Sequence, residues 1–207
     1  MRLILASGNN HKREELEGIF KDHPLFLPQD LDIQFYHEET GNTFWENALG
    51  KAKSLFQEVE KRNIEGYSVL ADDSGLSVEA LEGAPGIYSA RFGEQELGRK
   101  PTPEEQHRLL LDRMKHLPDR RARFICCMVL MVSKDRWFSA QETLEGELSF
   151  EPKGTGGFGY DPLLYIPSKG KTVAELSIEE KNRISHRGAA GKALRIIIEH
   201  HLEREDI

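Results

Sequence analysis

An α/β fold, a mixed β-sheet with flanking helices, is predicted by two features of this sequence. Strand-length apolar runs alternate with amphipathic helical stretches, as where "RLILA" gives way to residues 11–22. In the middle of the chain, residues 122–133 and 136–150 read as two long strands joined by a tight turn at Lys134-Asp135. That pairing is antiparallel, so the sheet is mixed and not purely parallel. A chain of 207 residues is long enough for a sizeable core, as one domain or two closely joined lobes.

The elements follow in order. Residues 2–6 are a short apolar strand. Residues 11–22 place Leu16, Ile19 and Phe20 at helical spacing, with Asn9 or Asn10 as the cap. "LDIQFY" (31–36) reads as a second strand. Residues 40–62 read as a long helix: Thr43 and Glu46 match a capping box, and Phe44, Ala48, Ala52, Leu55, Phe56 and Val59 form its apolar stripe. "YSVLADD" (67–73) reads as a buried strand ending in two aspartates, and "GLSVEAL" (75–81) as a further half-buried strand. Residues 82–94 hold Pro85 between glycines and read as an ordered loop. A helix over 103–116 starts at Thr102 with Pro103 in its first position. Residues 151–162 form a glycine-rich loop, and "LLYIP" is a short strand. Ser177 and Glu180 open a short helix, and a last helix covers roughly 186–203. No repeat, low-complexity tract or linker interrupts the chain.

Composition narrows the function classes. The net charge of -7 argues against non-specific binding along a nucleic-acid duplex. No apolar run is long enough to span a membrane, and the N-terminal run is too short for a signal peptide. The two cysteines, Cys126 and Cys127, are adjacent within a strand and point to opposite faces, so they read as core thiols and not a disulfide. A cytoplasmic protein is the expectation.

Four stretches carry chemistry. Ser7, Gly8, Asn9, Asn10, His11 and Lys12 lie between a strand and a helix start, where backbone N–H groups, a helix dipole and a lysine suit a phosphate chain. The same stretch also reads as a capped turn with a solvated lysine, and it lacks the P-loop spacing. Asp72 and Asp73 place two carboxylates at a buried strand end, which is costly without a cation and suits Mg²⁺. Glu38 and Glu39 are candidate further ligands. The alternative is ordinary Asp-Ser-Gly turn chemistry. "GTGGFGYDP" brings backbone close to a flat ligand, with Phe158 or Tyr160 for stacking; its alternative is a loop whose aromatics anchor in the core. Lys181, His186 and Arg187 gather donors around the cap-like Ser185. Together these are the parts of a nucleoside triphosphate site.

The motifs "SGNNHK", "EETGNTFWENALGKA", "ADDSGLSVEALEGAPGIYSARF", "GTGGFGYDPLL" and "ELSIEEKNRISHRGAA" occur in the order seen in the inosine triphosphate pyrophosphatase family, which this chain resembles over residues 2 to about 195. The bacterial dITP/XTP pyrophosphatase branch is the one it looks most like. The resemblance implies hydrolysis of the non-standard purine nucleotides ITP, dITP and XTP to monophosphate and pyrophosphate. It implies an elongated fold with two lobes around a central nucleotide cleft, the whole of 1–207 forming one domain, and a homodimer. Ser7 to Lys12 would hold the triphosphate with Lys51; the family often has Thr where Ser7 stands, and the hydroxyl is kept. Glu39 and Asp73 would hold Mg²⁺, with Mn²⁺ as a substitute. Asp73, alone or with Asp72, would activate water. Ser74 would touch the nucleotide. Phe158, Gly159, Tyr160 and Asp161 would wall the base and sugar, and Lys181, His186 and Arg187 would complete the base pocket. Donors there would pair with a 6-keto oxygen and be left unpaired by adenine. Two other readings stand beside this one: a Mg²⁺ phosphatase releasing orthophosphate, and a nucleotide sensor without turnover.

Overall fold

The computed structural model describes residues 1–202. Its strands are β1 (Arg2–Leu5), β2 (Leu25–Phe26), β3 (Tyr67–Val78), β4 (Arg121–Ser133), β5 (Arg136–Leu148), β6 (Leu164–Ile166) and β7 (Lys171–Thr172). Its α-helices are α1 (Asn10–Ile19), α2 (Phe44–Lys61), α3 (Glu94–Leu97), α4 (Pro103–Arg113), α5 (Ile178–Ile184) and α6 (His186–Ile197). The strands form one sheet in the order β2-β1-β3-β4-β5-β6-β7. β1 pairs in parallel with β2 and β3, whereas β6 pairs antiparallel with β5 and β7, so the sheet is mixed. β4 and β5 meet at the two-residue turn Lys134-Asp135, as the sequence predicts. The final helix is regular to Ile197 and continues as a π-helix over Ile198–Leu202; residue 203 of the predicted span lies outside the described residues.

The chain divides into two compact units. The first contains Met1–Asp73, Cys126–Glu142 and a segment beginning at Ser185; the second contains Ser74–Ile125 and Thr143–Ile184. Side-chain alternation along its strands gives the first unit two apolar faces. Leu3, Leu5, Leu70, Cys126, Met128 and Leu130 pack with Leu16 and Ile19 of α1 and with Ala190 and Leu194 of α6. Ile4, Val69, Ala71, Cys127, Val129 and Met131 pack with Ala48, Ala52, Leu55 and Val59 of α2. Each fully buried leucine contributes on the order of 2 kcal/mol of transfer free energy. In the second unit Leu76, Val78, Phe124 and Leu164 pack with Leu110 of α4 and with Tyr160.

Two strand predictions are corrected. Residues 31–36 form no strand. A 3₁₀ turn, Pro28–Leu31, ends there in a left-handed Asp32 (φ 54°), and Asp30 accepts from the Leu27 N–H at 2.8 Å. Ile33 is buried and Leu31 and Phe35 pack beside it, so their alternation records a core-facing side without a ladder partner. The strand expected to end at Asp73 and the one expected at 75–81 are one strand, β3, followed by a 3₁₀ turn at Glu79–Leu81. Asp72 and Asp73 therefore lie mid-strand, not at a tip. Gly75 serves close approach instead of a turn: a Cβ there would sit 2.3 Å from the Gly86 carbonyl oxygen.

Candidate active site

Asp72 and Asp73 are neighbours on β3, so their side chains leave opposite faces of the strand. Each meets the helices that pack its own face.

Asp72 faces α1 and α6. After β1 the chain turns through Ser7 and Gly8 into α1. Ser7 Oγ accepts from the Asn9 N–H at 3.1 Å, and Asn9 Oδ1 accepts from the N–H groups of His11 (2.9 Å) and Lys12 (3.3 Å). Asn9 is thus the cap. Lys12 is not a solvated lysine: its Nζ donates to Asp72 Oδ1 at 2.8 Å. Asn10 and His11 are exposed, and Gly8 leaves open space around its Cα. From α6, capped by Ser185 Oγ on the Gly188 N–H at 2.9 Å, Arg187 reaches in. Its Nε and Nη2 donate to Asp72 Oδ2 at 3.3 and 3.1 Å, and its Nη1 donates to Glu15 Oε2 at 2.7 Å. The Cys126 thiol stands 3.9 Å from the same Asp72 oxygen. Asp72 is 1% exposed. Burial alone would raise its pKa, but Lys12, Arg187 and Lys51 outweigh burial and hold it well below the usual carboxylate range. Burial and the Asp72 charge push the Cys126 thiol far up, so it stays protonated.

Asp73 faces α2. Asn47 and Lys51 stand four residues apart on one side of that helix. Asn47 Nδ2 donates to Asp73 Oδ2 at 3.2 Å. Lys51 Nζ donates to Asp73 Oδ1 at 3.0 Å and to Glu39 Oε1 at 2.7 Å. Asn47 Oδ1 accepts from the Gly41 N–H at 2.8 Å, which ties the segment carrying Glu39 to the helix. Burial raises the Asp73 pKa; Lys51 opposes this, Glu39 adds to it, and the net direction is upward. Burial opposes the Lys51 charge, yet Asp73, Asp72 and Glu39 together raise its pKa. Burial thus dominates at Asp73, and the surrounding carboxylates together dominate at Lys51. The Cys127 thiol, on the same face, is pushed up to about 11 by burial and the Asp73 charge.

The Glu39–Asp73 pair suits a hard divalent cation. Both carboxylates already converge on a single cationic nitrogen, and the Glu39 side chain is 24% exposed. Among the described residues no three His, Cys, Asp or Glu side chains form a metal cluster. Mg²⁺ does not require one, since it takes one or two protein carboxylates and completes its shell with phosphate oxygens and water.

The second unit holds Ser74, next on β3, and the glycine-rich loop. Asp161 organises that loop from within. Its Oδ2 accepts from the Phe158 N–H at 2.8 Å and from Lys181 Nζ at 2.6 Å. Gly157, at φ +70°, makes room for this carboxylate: a Cβ would lie 1.9 Å from Asp161 Oδ2. Lys181 Nζ lies 4.9 Å from the centre of the half-buried Phe158 ring. Tyr160 is buried in the core, and its hydroxyl donates to the Ser89 carbonyl at 3.2 Å. Of the two aromatics, Phe158 keeps the more accessible ring.

Three groups thus form: Lys12, Asp72 and Arg187; Glu39, Lys51 and Asp73; and Phe158, Asp161 and Lys181. Glu38 joins no group described here. His186 is buried in the first unit, one position before Arg187. Arg187, expected as a base donor, has its guanidinium on Asp72 and Glu15. Sequence reasoning did not find Glu15, Asn47 or His107, whose Nε2 lies 2.7 Å from the Gly159 carbonyl. Asn47 was within reach, as the i, i+4 partner of Lys51. Glu15 and His107 carry no local signal.

A model of the Ham1 family matches residues 3–197. A dITP/XTP pyrophosphatase of Treponema denticola is 48% identical over 190 residues, covering 92% of this chain and 94% of that protein. The structure of the Staphylococcus aureus Ham1 protein matches with a TM-score of 0.81 at 38% identity, covering 96% of this chain and 98% of that one. The Ham1 protein from Coxiella burnetii matches at 0.83 and 36% identity, with coverage of 96% and 98%.

Proposed function

The chain belongs to the Ham1 family, and from that membership we propose that it is a nucleoside triphosphate pyrophosphatase. It hydrolyses the non-standard purine nucleotides ITP, dITP and XTP to the monophosphate and pyrophosphate. One observation carries the residue assignment: Asp72 and Asp73 are adjacent, yet strand alternation closes Asp72 among Lys12 and Arg187 and sets Asp73 beside Lys51 and the partly exposed Glu39. Carboxylates separated in this way take different roles.

Asp73 is assigned to the attacking water. Its carboxylate is within hydrogen-bond reach of Asn47 and Lys51, which fix its orientation toward the water. Asp72 is assigned a holding role: its charge pins Lys12 and Arg187 and has little basicity left. Lys12 and Lys51 neutralise phosphate charge, with Ser7 to His11 presenting hydroxyl, amide and backbone donors. Glu39 and Asp73 would hold Mg²⁺, or Mn²⁺ in its place. Bound there, the ion supplies charge compensation for the departing pyrophosphate. Phe158, braced by Lys181 and Asp161, is assigned to stacking on the purine, with Gly159, Tyr160 and Ser74 contacting the nucleoside. Lys181 and His186 are assigned to the 6-keto side of the base. Arg187, assigned to the same base on the family's pattern, acts first as counter-charge to Asp72.

The working form is taken to be a homodimer in the cytoplasm, where the nucleotide pool lies, and as a single domain. The test is a panel of ITP, dITP, XTP, GTP and ATP with Mg²⁺, scored for products. Pyrophosphate with monophosphate from the first three, at about 10⁴-fold preference over ATP, supports the reading. Orthophosphate, or binding without turnover, contradicts it.

A further inference from the structure

We propose that His107 is a positioning residue for nucleotide binding, acting through the peptide between Gly159 and Tyr160. The proposal rests on the pyrophosphatase reading, because that reading makes the glycine-rich loop a nucleoside wall.

His107 lies on α4 and is 8% exposed. Its Nε2 is 2.7 Å from the Gly159 carbonyl oxygen. A carbonyl oxygen only accepts, so Nε2 carries the proton, whatever the state of Nδ1. In a trans peptide the C=O and the following N–H point in opposite directions. Holding the Gly159 carbonyl on α4 therefore turns the Tyr160 N–H away from α4. Gly159 stands at φ +59°, and glycine is the residue with the widest choice of backbone angles. An external tether at this position limits that choice.

The neighbouring side chain supports the same clamp. Gln106 Nε2 donates to the Ser89 carbonyl at 3.1 Å, and Tyr160 donates to that carbonyl as well. The His107 and Tyr160 rings lie 5.8 Å apart, tilted by 50°. His107 thus holds the Gly159 carbonyl directly, and Gln106 shares with the Tyr160 hydroxyl the carbonyl that receives it. His107 also borders an open pocket with Leu111, Pro152 and Pro162, so a leucine there would have apolar neighbours.

The test compares wild type, His107→Leu and His107→Gln in steady-state ITP hydrolysis with Mg²⁺, alongside thermal unfolding. Leucine removes the donor and leaves a carbonyl unpaired; KM rises roughly tenfold, with kcat changed less than about threefold. Glutamine restores an N–H donor and returns KM to within about threefold of wild type. Leucine kinetics equal to wild type overturn the proposal. So does an equal loss in both variants that follows a fall in Tm, which marks a merely structural histidine. Wild-type protein that does not release pyrophosphate from ITP overturns the underlying reading instead.

Discussion

The ionic groups of the first unit and the glycine-rich loop of the second hold their polar groups in place by different means. Around Asp72 and Asp73, full charges are matched by full charges: Lys12, Arg187 and Lys51 against Asp72, Asp73, Glu39 and Glu15. In the loop, one buried ion pair, Asp161 with Lys181, is joined by backbone devices. Glycines adopt left-handed angles, a carboxylate accepts from a main-chain N–H, and a histidine holds a carbonyl. The first arrangement tunes protonation, the second tunes shape. Within the first, strand alternation alone divides the labour. Asp72 falls on the face of three cationic or thiol donors, and Asp73 on the face where Lys51 is shared with Glu39.

Three changes probe this contrast, in order of their effect on stability. Asp72→Asn removes a buried charge, leaving Lys12 without its carboxylate and Arg187 with Glu15 alone, for an expected loss of about 3–5 kcal/mol. Urea unfolding followed by circular dichroism reads this, and a loss below about 1 kcal/mol would show that the face tolerates neutralisation. Gly157→Ala drives a Cβ into Asp161 at positive φ, where Lys181 and Phe158 hold the carboxylate; the cost is about 1–3 kcal/mol. Gly159→Ala meets nothing within 4 Å and costs only the strain of its positive φ, about 1–2 kcal/mol, without the clash at Gly157. Equal melting temperatures for the two alanine variants would break the account of the loop.

The smallest effect is a pair of opposite pH trends in metal-free buffer. The folded pKa of Asp72 is depressed, so its contribution is present above the unfolded value of 3.8 and is lost as pH falls through the folded one. The folded pKa of Asp73 is raised, so its contribution is present below 3.8 and is lost as pH rises through the folded value. Relative to wild type, Asp73→Asn therefore gains stability as pH rises above about 4, and Asp72→Asn becomes less costly as pH drops below about 4. Parallel trends in the two variants would refute the division.

Much of the scaffold was legible in local signals. Thr43, Thr102 with Pro103, and Ser177 mark helix starts because capping is short-range chemistry, and the β4–β5 hairpin follows from two long runs and a two-residue turn. The misreadings have physical causes. Alternation at Leu31, Ile33 and Phe35 reports which side is buried and says nothing of backbone pairing. Asp-Asp-Ser-Gly looks like a strand end because those residues favour turns, yet here Gly75 admits the 86–89 loop and β3 continues. Within the site, the motif residues could be named, but their partners depend on the fold. Glu15 meets Arg187 across 172 residues, and His107 meets Gly159 across 52.

The assignment of Asp73 to the water is tested most directly by pyrophosphate release from ITP with Mg²⁺ by Asp73→Asn protein shown to be folded. Turnover about 10³-fold or more below wild type, with stability within about 1 kcal/mol of wild type at neutral pH, is the predicted result. Turnover within a few-fold of wild type would place the chemistry on another group.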